Sequence, residues 1–179
     1  KPHIVDLILD LAGYTSDRNL TEMRLLEPSC GNGAFLVPAA IRLASAAKRE
    51  NVDPSDLVSC ITAVDIDLSH VEASRIAVAE ALTAQGVRRD TAKRLAEAWI
   101  SRADFLLTSE SQSFDVVVGN HPYIRIEHLA PKLQSEYRSR FVSLFDRADL
   151  YVAFIEHGLR LLRDGGVLSF ICADRWVLN

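Results

Sequence analysis

The sequence predicts an α/β fold in which a mainly parallel, twisted sheet carries helices on both faces. Two observations support this prediction. Short apolar segments alternate with amphipathic helical segments along the chain, and the short segments are apolar throughout instead of alternating with polar residues. A strand that is apolar on both of its faces must be covered on both sides, which is typical of parallel sheets between two layers of helices.

Elements can be assigned in chain order from periodicity and stop signals. Apolar residues recur at helical spacing before Gly13, which predicts a helix over residues 2–12. A buried strand is predicted over 23–27, and after a glycine turn a second helix runs from Phe35 to about residue 49. A second apolar strand is predicted over 60–65.

The middle of the chain continues the alternation. Ser69-x-x-Glu72 is a capping box and predicts the start of a helix that ends near residue 86. Asp90 is the predicted cap of an additional helix over 90–98. Strands are then predicted over residues 100–105 and 114–119.

The last predicted helix and strand close the pattern. Asp149 is the expected cap of a helix with one apolar face, Asp164-Gly165-Gly166 is expected to end it, and Val167 to Ala173 is the fifth strand. No repeat or linker interrupts the sequence, so residues 1–179 are expected to form one domain. Because little follows the fifth strand, we expect a sheet truncated there and a chain that is a fragment of a longer polypeptide.

Composition excludes several classes of protein. The 179 residues are 49% hydrophobic and 25% charged, which is typical of globular proteins and not of disordered or collagen-like chains. The widely spaced Cys30, Cys60 and Cys172 have no histidine cluster beside them, so neither a disulfide framework nor a metal site is indicated. We expect no metal, no membrane segment and a cytoplasmic location, since no apolar stretch approaches the roughly 20 residues of a membrane helix.

The net charge of −4 is not typical of a dedicated nucleic-acid-binding protein. The segment from His121 to Arg147 is locally different, with five basic residues against three acidic ones. A difference this small is only a weak indication of a nucleic-acid partner.

The residues just after each strand are the candidates for binding, because open parallel sheets bind ligands at the carboxyl ends of their strands. Gly31 and Gly33 follow the first strand and allow a ligand to approach the backbone closely. Asp65 ends the second strand and can accept the hydroxyls of a ribose, whereas Asp67 is better explained as part of the turn before the next helix.

Two more strands are followed by residues of this kind. Asp104 can accept an exocyclic amine, and Phe105 can lie on a purine, although an isolated phenylalanine is more often part of the core. Asn120 to Tyr123 follows the fourth strand as a sharp polar turn that includes an aromatic residue.

Taken together, these four segments resemble the S-adenosylmethionine-dependent amino-methyltransferases, and among them the N6-adenine DNA methyltransferases of restriction-modification type. The resemblance covers nearly the whole chain and implies a Rossmann-like methyltransferase fold. The matching sequences are LEPSCGNGAFL (26–36), VDID (64–67), ADFLL (103–107), GNHPYIR (119–125), DLYVAFIE (149–156) and LLRDGGVL (161–168).

The resemblance implies roles for individual residues. Asp65 would bind the ribose of S-adenosylmethionine, Ile66 and Phe105 would sandwich its adenine, Asp104 would accept from the adenine amine, and Phe154 would line the same pocket. The residues that would surround its methionine part are Glu27, Pro28, Ser29, Gly31, Gly33 and Phe35.

The catalytic turn implied by the resemblance consists of Asn120, His121, Pro122 and Tyr123. The side-chain oxygen of Asn120 and the backbone carbonyl of residue 121 would accept the two N–H groups of the target amine and aim its lone pair at the methyl group. Tyr123 would stack on an adenine that has left the double-stranded DNA. His121 stands where the family has a proline, which removes a fixed φ but keeps the carbonyl; a role for His121 as general base is the less favoured explanation.

Several alternatives remain open from the sequence. A dinucleotide-binding oxidoreductase fails on spacing, because position 36 is Leu36 where the third glycine should lie. A methyltransferase acting on protein glutamine or on RNA uses a similar turn, and a cofactor-binding remnant without catalysis would also fit. We expect the isolated 179 residues to bind the cofactor but to show little methylation and no sequence-specific DNA binding, since a recognition domain is expected elsewhere.

Overall fold

The computed structural model describes residues 2–109 and 113–172, which form six helices and five strands. The helices are α1 (Pro2–Leu11), α2 (Leu36–Glu50), α3 (Leu68–Ala84), α4 (Arg89–Trp99), α5 (Pro131–Arg140) and α6 (Tyr151–Arg160), and the strands are β1 (Leu25–Glu27), β2 (Ile61–Asp65), β3 (Ile100–Arg102), β4 (Phe114–Asn120) and β5 (Leu162–Ile171). None of the described helices has the length and apolar character needed to cross a bilayer.

The five strands form one parallel sheet in the order β3-β2-β1-β4-β5. The chain builds outward from β1 through β2 to β3 and then crosses back to the other side of β1 to form β4 and β5. The order therefore reverses between β1 and β4, and in sheets of this type a crevice for ligands opens at that position. The predicted mainly parallel sheet is confirmed.

Neighbouring residues on each strand belong to two separate layers of core. Leu25 and Val116 pack with residues of α1, α2, α3 and α4 on one face of the sheet. Leu26 and Val117 pack with residues of α5 and α6 on the other face. The sheet is thus covered on both sides, which explains why its central strands consist mostly of apolar residues.

The predicted capping box at the start of α3 is wrong, although the predicted helix is present. The N-cap is Asp67, whose Oδ1 accepts from the backbone N–H of Ser69 at 2.8 Å and from its hydroxyl at 2.7 Å. The assignment of Asp67 to the turn before the helix is confirmed. Two residues suited to capping stand close together here, and the helix begins two residues earlier than the Ser69–Glu72 pattern indicated.

Two further caps were assigned wrongly. The N-cap of α4 is Arg88, and Asp90 lies in the first turn, where its carboxylate accepts from the Arg88 guanidinium at 2.6 Å. The N-cap of α6 is Leu150, which has no capping side chain. Asp149 instead lies in an antiparallel bridge with Arg125.

The boundary between α6 and β5 also differs from the prediction. Helix α6 already ends at Arg160, and Asp164-Gly165-Gly166 lies inside β5, where the register with β4 shifts. Gly165 has a φ of +77°, so these glycines form a bulge in a strand and not a helix stop. The predicted strand end at Ala173 lies outside the described residues.

The strand predicted over residues 100–105 is shorter than expected. It ends at Arg102, and Phe105–Leu107 forms a single 3₁₀ turn whose N-cap is Asp104. The Asp104 side chain accepts from the backbone N–H of Leu106. This turn places Asp104 at the carboxyl edge of the sheet, beside the end of β2.

The cap assignment at α3 can be tested by mutation. Replacing Asp67 by alanine removes the acceptor for the first free amides of α3 and should lower Tm by a few degrees. Replacing Glu72 by alanine should leave Tm nearly unchanged, because Glu72 is not part of the observed cap. Thermal unfolding followed by circular dichroism measures both, and a larger effect of Glu72→Ala would restore the capping box.

Candidate active site

The buried Asp65 carboxylate joins the turns that follow β1 and β2. Its Oδ2 accepts from the backbone N–H of Gly31 at 2.8 Å, and its Oδ1 accepts from the backbone N–H of Asp67 at 2.9 Å. The Nδ1 atom of His70 lies 3.3 Å from the same Oδ1. Two of the sequence-predicted site segments are therefore held together by one side chain.

The glycine turn after β1 is fixed from the other side by α3. Gly31 and Gly33 have φ values of +51° and +84°, which other residues rarely adopt. The fully buried Ser74 of α3 donates its hydroxyl to the Gly31 carbonyl at 2.7 Å. A Cβ on Gly33 would lie 3.3 Å from the hydroxyl oxygen of Ser74. Sequence reasoning missed Ser74, because a serine in the middle of a helix carries no signal of this contact.

Glu27, the last residue of β1, is a buried carboxyl with an unused acceptor. It is 1% exposed, and its Oε2 has no hydrogen-bond partner among the described residues. Burial raises the pKa of Glu27 well above its usual value, and the nearby Asp65 carboxylate raises it further. An acceptor of this kind suits a cationic donor, such as the ammonium group of an amino acid.

The remaining residues of the turn divide between the core and the site. Phe35 is buried in the core cluster with α2, and Cys30 donates its backbone N–H to the Val64 carbonyl. Burial raises the pKa of the Cys30 thiol to about 12, so it stays protonated at neutral pH. Pro28 is buried and Ser29 is half-buried. The residues that can face a ligand are therefore those near Gly31.

The two residues predicted to sandwich an adenine lie in different surroundings. The Ile66 side chain is 61% exposed. Phe105 is buried, with its ring centroid 5.2 Å from that of Phe154 and 4.6 Å from that of His157. The structure thus supports contact between Phe105 and Phe154, while the sandwich itself stays a prediction.

Asp104 has a partner that the sequence did not indicate. Its Oδ1 accepts from Leu106, and its Oδ2 accepts from the Tyr137 hydroxyl at 2.6 Å. Tyr137 belongs to α5 and is only 4% exposed. Burial and the adjacent carboxylate both raise the pKa of the phenol, so that it acts as a donor.

The turn after β4 presents an oriented amide. Asn120 is exposed at the end of the strand, and its Oδ1 accepts from the Tyr123 hydroxyl at 3.1 Å. The same hydroxyl lies 3.2 Å from the carbonyl of Ile171 in β5. The Tyr123 side chain is 52% exposed, which leaves part of its ring open to a ligand.

His121 points inward and not toward solvent. It is 2% exposed, stacks on Tyr151 with centroids 5.2 Å apart, and meets the Tyr123 and Phe170 rings edge to face. Its Nδ1 has no partner in the part of the chain that the structure describes, while Nε2 lies 3.4 Å from the Cys172 sulfur. Burial lowers the pKa of His121, so the ring is neutral and supports Tyr123 by packing.

The turns after β1 and β4 touch at the point where the strand order reverses. A Cβ on Gly119 would lie 3.5 Å from Pro28 Cδ and 3.6 Å from Glu27 Cγ. Asn120, the next residue, therefore lies on a stretch of backbone that contacts the end of β1. In comparison with known proteins, the model of the Eco57I restriction-modification methylase family matches residues 59–179 of the chain.

The chain belongs to this methylase family. It is 46% identical over 182 residues to the Type II methyltransferase M.PaeR7I of Pseudomonas aeruginosa, a match that covers 100% of the chain and 32% of the relative. The chain thus spans about a third of the length of the curated relative it matches.

Solved structures share the fold. A class I S-adenosylmethionine-dependent methyltransferase structure from Listeria monocytogenes matches with a TM-score of 0.61 and 18% identity over 97% of this chain and 46% of that one. The restriction-modification enzyme LlaGI, solved in complex with a DNA substrate mimic, matches with a TM-score of 0.59 and 17% identity over 93% of this chain and 16% of that one. The expected restriction-modification methylase family and the methyltransferase fold are confirmed.

The raised pKa of Glu27 predicts that the stability of the chain depends on pH. Above the ordinary pKa of 4.5, the unfolded chain loses the Glu27 proton while the folded chain keeps it, so this group lowers stability as pH rises. Glu27→Gln cannot ionise. We therefore expect the stability of Glu27→Gln relative to the unaltered chain to increase between pH 5 and pH 8.

Denaturant unfolding across this range measures the difference. The exposed Glu72→Gln is the matched control and should show no such trend. A difference between Glu27→Gln and the unaltered chain that stays constant with pH would contradict the raised pKa.

Proposed function

We propose that residues 1–179 form the catalytic domain of an adenine-specific DNA methyltransferase of a restriction-modification system. The reaction would transfer a methyl group from S-adenosylmethionine to the N6 amine of adenine in DNA. The observation that carries the proposal is the Asn120 amide, which is oriented by Tyr123 and lies on the turn that touches Glu27. Membership of a restriction-modification methylase family supports the reaction class.

The cofactor would be held along the carboxyl ends of β1, β2 and β3. When bound, S-adenosylmethionine supplies an electrophilic methyl group on a sulfonium. Glu27 has the free acceptor that its ammonium group needs. Asp65 uses two lone pairs on backbone amides, and a carboxylate has about four, which leaves acceptors for ribose hydroxyls. Asp104 would accept from the adenine amine.

The target amine would be activated by acceptors and not by a base. The lone pair of the target nitrogen is delocalised into the ring. If Asn120 Oδ1 and the His121 carbonyl accept hydrogen bonds from the two N–H groups, the nitrogen is drawn toward tetrahedral geometry. The Tyr123 hydroxyl donates to Asn120 Oδ1, and this hydrogen bond fixes the orientation of the amide. The proton on the product nitrogen would leave after transfer, which requires no general base and agrees with the inward position of His121.

The partner would be double-stranded DNA with the adenine flipped out of the helix, bound by the whole protein. The half-exposed Tyr123 ring can stack on such a base. Support for DNA comes from the family and from the LlaGI complex. In the segment 121–147, Arg140 faces Glu136 at 3.9 Å and Arg147 faces Glu127 at 3.8 Å, which compensates part of the positive charge of the segment.

The role of Asp65 can be tested by calorimetry with S-adenosylmethionine or its demethylated product. Asp65→Ala should weaken binding by one to two orders of magnitude, on the scale of roughly 1.5–3 kcal/mol for hydrogen bonds to a charged group. Asp67→Ala, two residues away and also acidic, is the matched control and should bind normally. Unchanged affinity of a folded Asp65→Ala would remove Asp65 from the cofactor site.

The role of Asn120 is tested in the full-length protein. Asn120→Ala should lower the rate of methyl transfer by about 10²–10³ with cofactor affinity nearly unchanged, because the amide is proposed to contact only the target amine. Asn19→Ala, which removes an exposed asparagine outside the site, should keep full activity. Modified-base analysis of methylated plasmid DNA identifies the product.

Three outcomes of this assay would contradict the proposal. Retained adenine methylation by Asn120→Ala would exclude Asn120 from catalysis. Transfer by the unaltered protein to glutamine or to RNA, but not to DNA, would replace the proposed substrate. Cofactor binding without any transfer would indicate a binding module.

A further inference from the structure

The hydrogen bond between Tyr137 and Asp104 links α5 to the cofactor edge of the sheet. Resting on the proposed function, we propose that Tyr137 is a positioning residue that makes Asp104 select the 6-amino group of the cofactor's adenine ring. Tyr137 lies in the segment between the catalytic turn and α6, outside the motifs that indicated the site. The contact is short, at 2.6 Å, and Tyr137 is almost fully buried.

The roles of donor and acceptor in this pair are fixed. The pKa of Tyr137 is raised by burial and by Asp104, so the phenol keeps its proton and donates it. Asp104 Oδ1 accepts from the backbone N–H of Leu106. Both oxygens of the carboxylate thus already receive a hydrogen bond, and the lone pairs that remain can only accept.

An acceptor-only carboxylate distinguishes two purines that have nearly the same shape. A 6-amino group donates to it, whereas a 6-oxo group places its own lone pairs against those of the carboxylate. A site that hydrogen-bonds one of two similar ligands, and leaves its own polar group unpaired with the other, discriminates between them by a large factor in affinity. The discrimination depends on a carboxylate that cannot rotate, and the hydrogen bond from the Tyr137 hydroxyl holds it in place.

The surrounding packing holds Tyr137 in this position. Phe141 and Leu144, which follow it in the chain, are buried in the same core cluster. The base of the segment is closed by backbone hydrogen bonds from Ile126 to Ala148 and from Leu150 to Ile124. Tyr137 is therefore placed by the fold of the segment and not by the cofactor.

The test compares binding of S-adenosylhomocysteine with that of S-inosylhomocysteine, in which a 6-oxo group and an N1–H replace the 6-amino group and the N1 lone pair of the purine. Calorimetry on the unaltered chain should show a preference for the adenosyl compound of about 10²-fold or more. Tyr137→Phe should reduce this preference about tenfold, and Asp104→Asn should nearly abolish it, since an amide can also donate. Adding Tyr137→Phe to Asp104→Asn should change the preference no further.

A control variant separates this effect from general loss of packing. Tyr14 is another fully buried tyrosine, and its hydroxyl has no partner among the described residues. Tyr14→Phe should leave the preference unchanged. Equal weakening of both compounds by Tyr137→Phe, or an effect that persists in the Asp104→Asn background, would show a merely structural role and overturn the inference.

A second measurement needs no substitution. In the chain labelled with ¹³C at the tyrosine ζ carbons, S-adenosylhomocysteine should shift the Tyr137 signal and S-inosylhomocysteine should not. The absence of a shift with bound S-adenosylhomocysteine would overturn the inference alone. The absence of binding of either compound to the unaltered chain would overturn the proposed function and the inference with it.

Discussion

The arrangement of the site depends on the buried carboxylate of Asp65. In a parallel sheet each strand ends in its own turn, and nothing in the sheet itself fixes one turn relative to the next. Asp65 does so by accepting one backbone amide from the turn after β1 and another from the turn after β2. These two donors satisfy the buried oxygens of Asp65. On the neighbouring strand β1, Oε2 of Glu27 has no donor among the described residues, and burial raises the pKa of Glu27.

The fold could be predicted from the sequence because its signals are local. Apolar strands, helical spacing and the two glycines after β1 depend on neighbours in the chain. They predicted the five strands and five of the six described helices in the correct order, but missed α5 (Pro131–Arg140). The errors arose where two local signals compete. Asp67 and Ser69 both suit a cap, and Gly165-Gly166 looks like a helix stop although it forms a bulge. Tyr137 and Ser74 could not be found, since each contacts a residue more than 30 positions away.

The turn after β4, from Asn120 to Tyr123, is held by aromatic packing around His121. A proline at position 121 would fix the backbone by its ring, and His121 is fixed instead by burial among Tyr151, Tyr123 and Phe170. The turn keeps its carbonyl, and the imidazole contributes apolar contact on the inner side of Tyr123. In this turn, aromatic packing thus restrains the backbone in the way that a proline ring would.

The segment between the turn after β4 and α6 is closed at its base by backbone hydrogen bonds, and this affects where insertions can be accepted. Residues 124 and 126 pair with 150 and 148, so the chain leaves and returns at the same place. Each doubling of the length of a flexible loop adds only about 0.6 kcal/mol of closure entropy. Insertions near the tip of this segment, around the exposed Val142 and Phe145, would therefore leave the turn after β4 undisturbed as long as Tyr137 keeps its hydrogen bond to Asp104. New contact surface can be added at the tip without a change in the residues of the site.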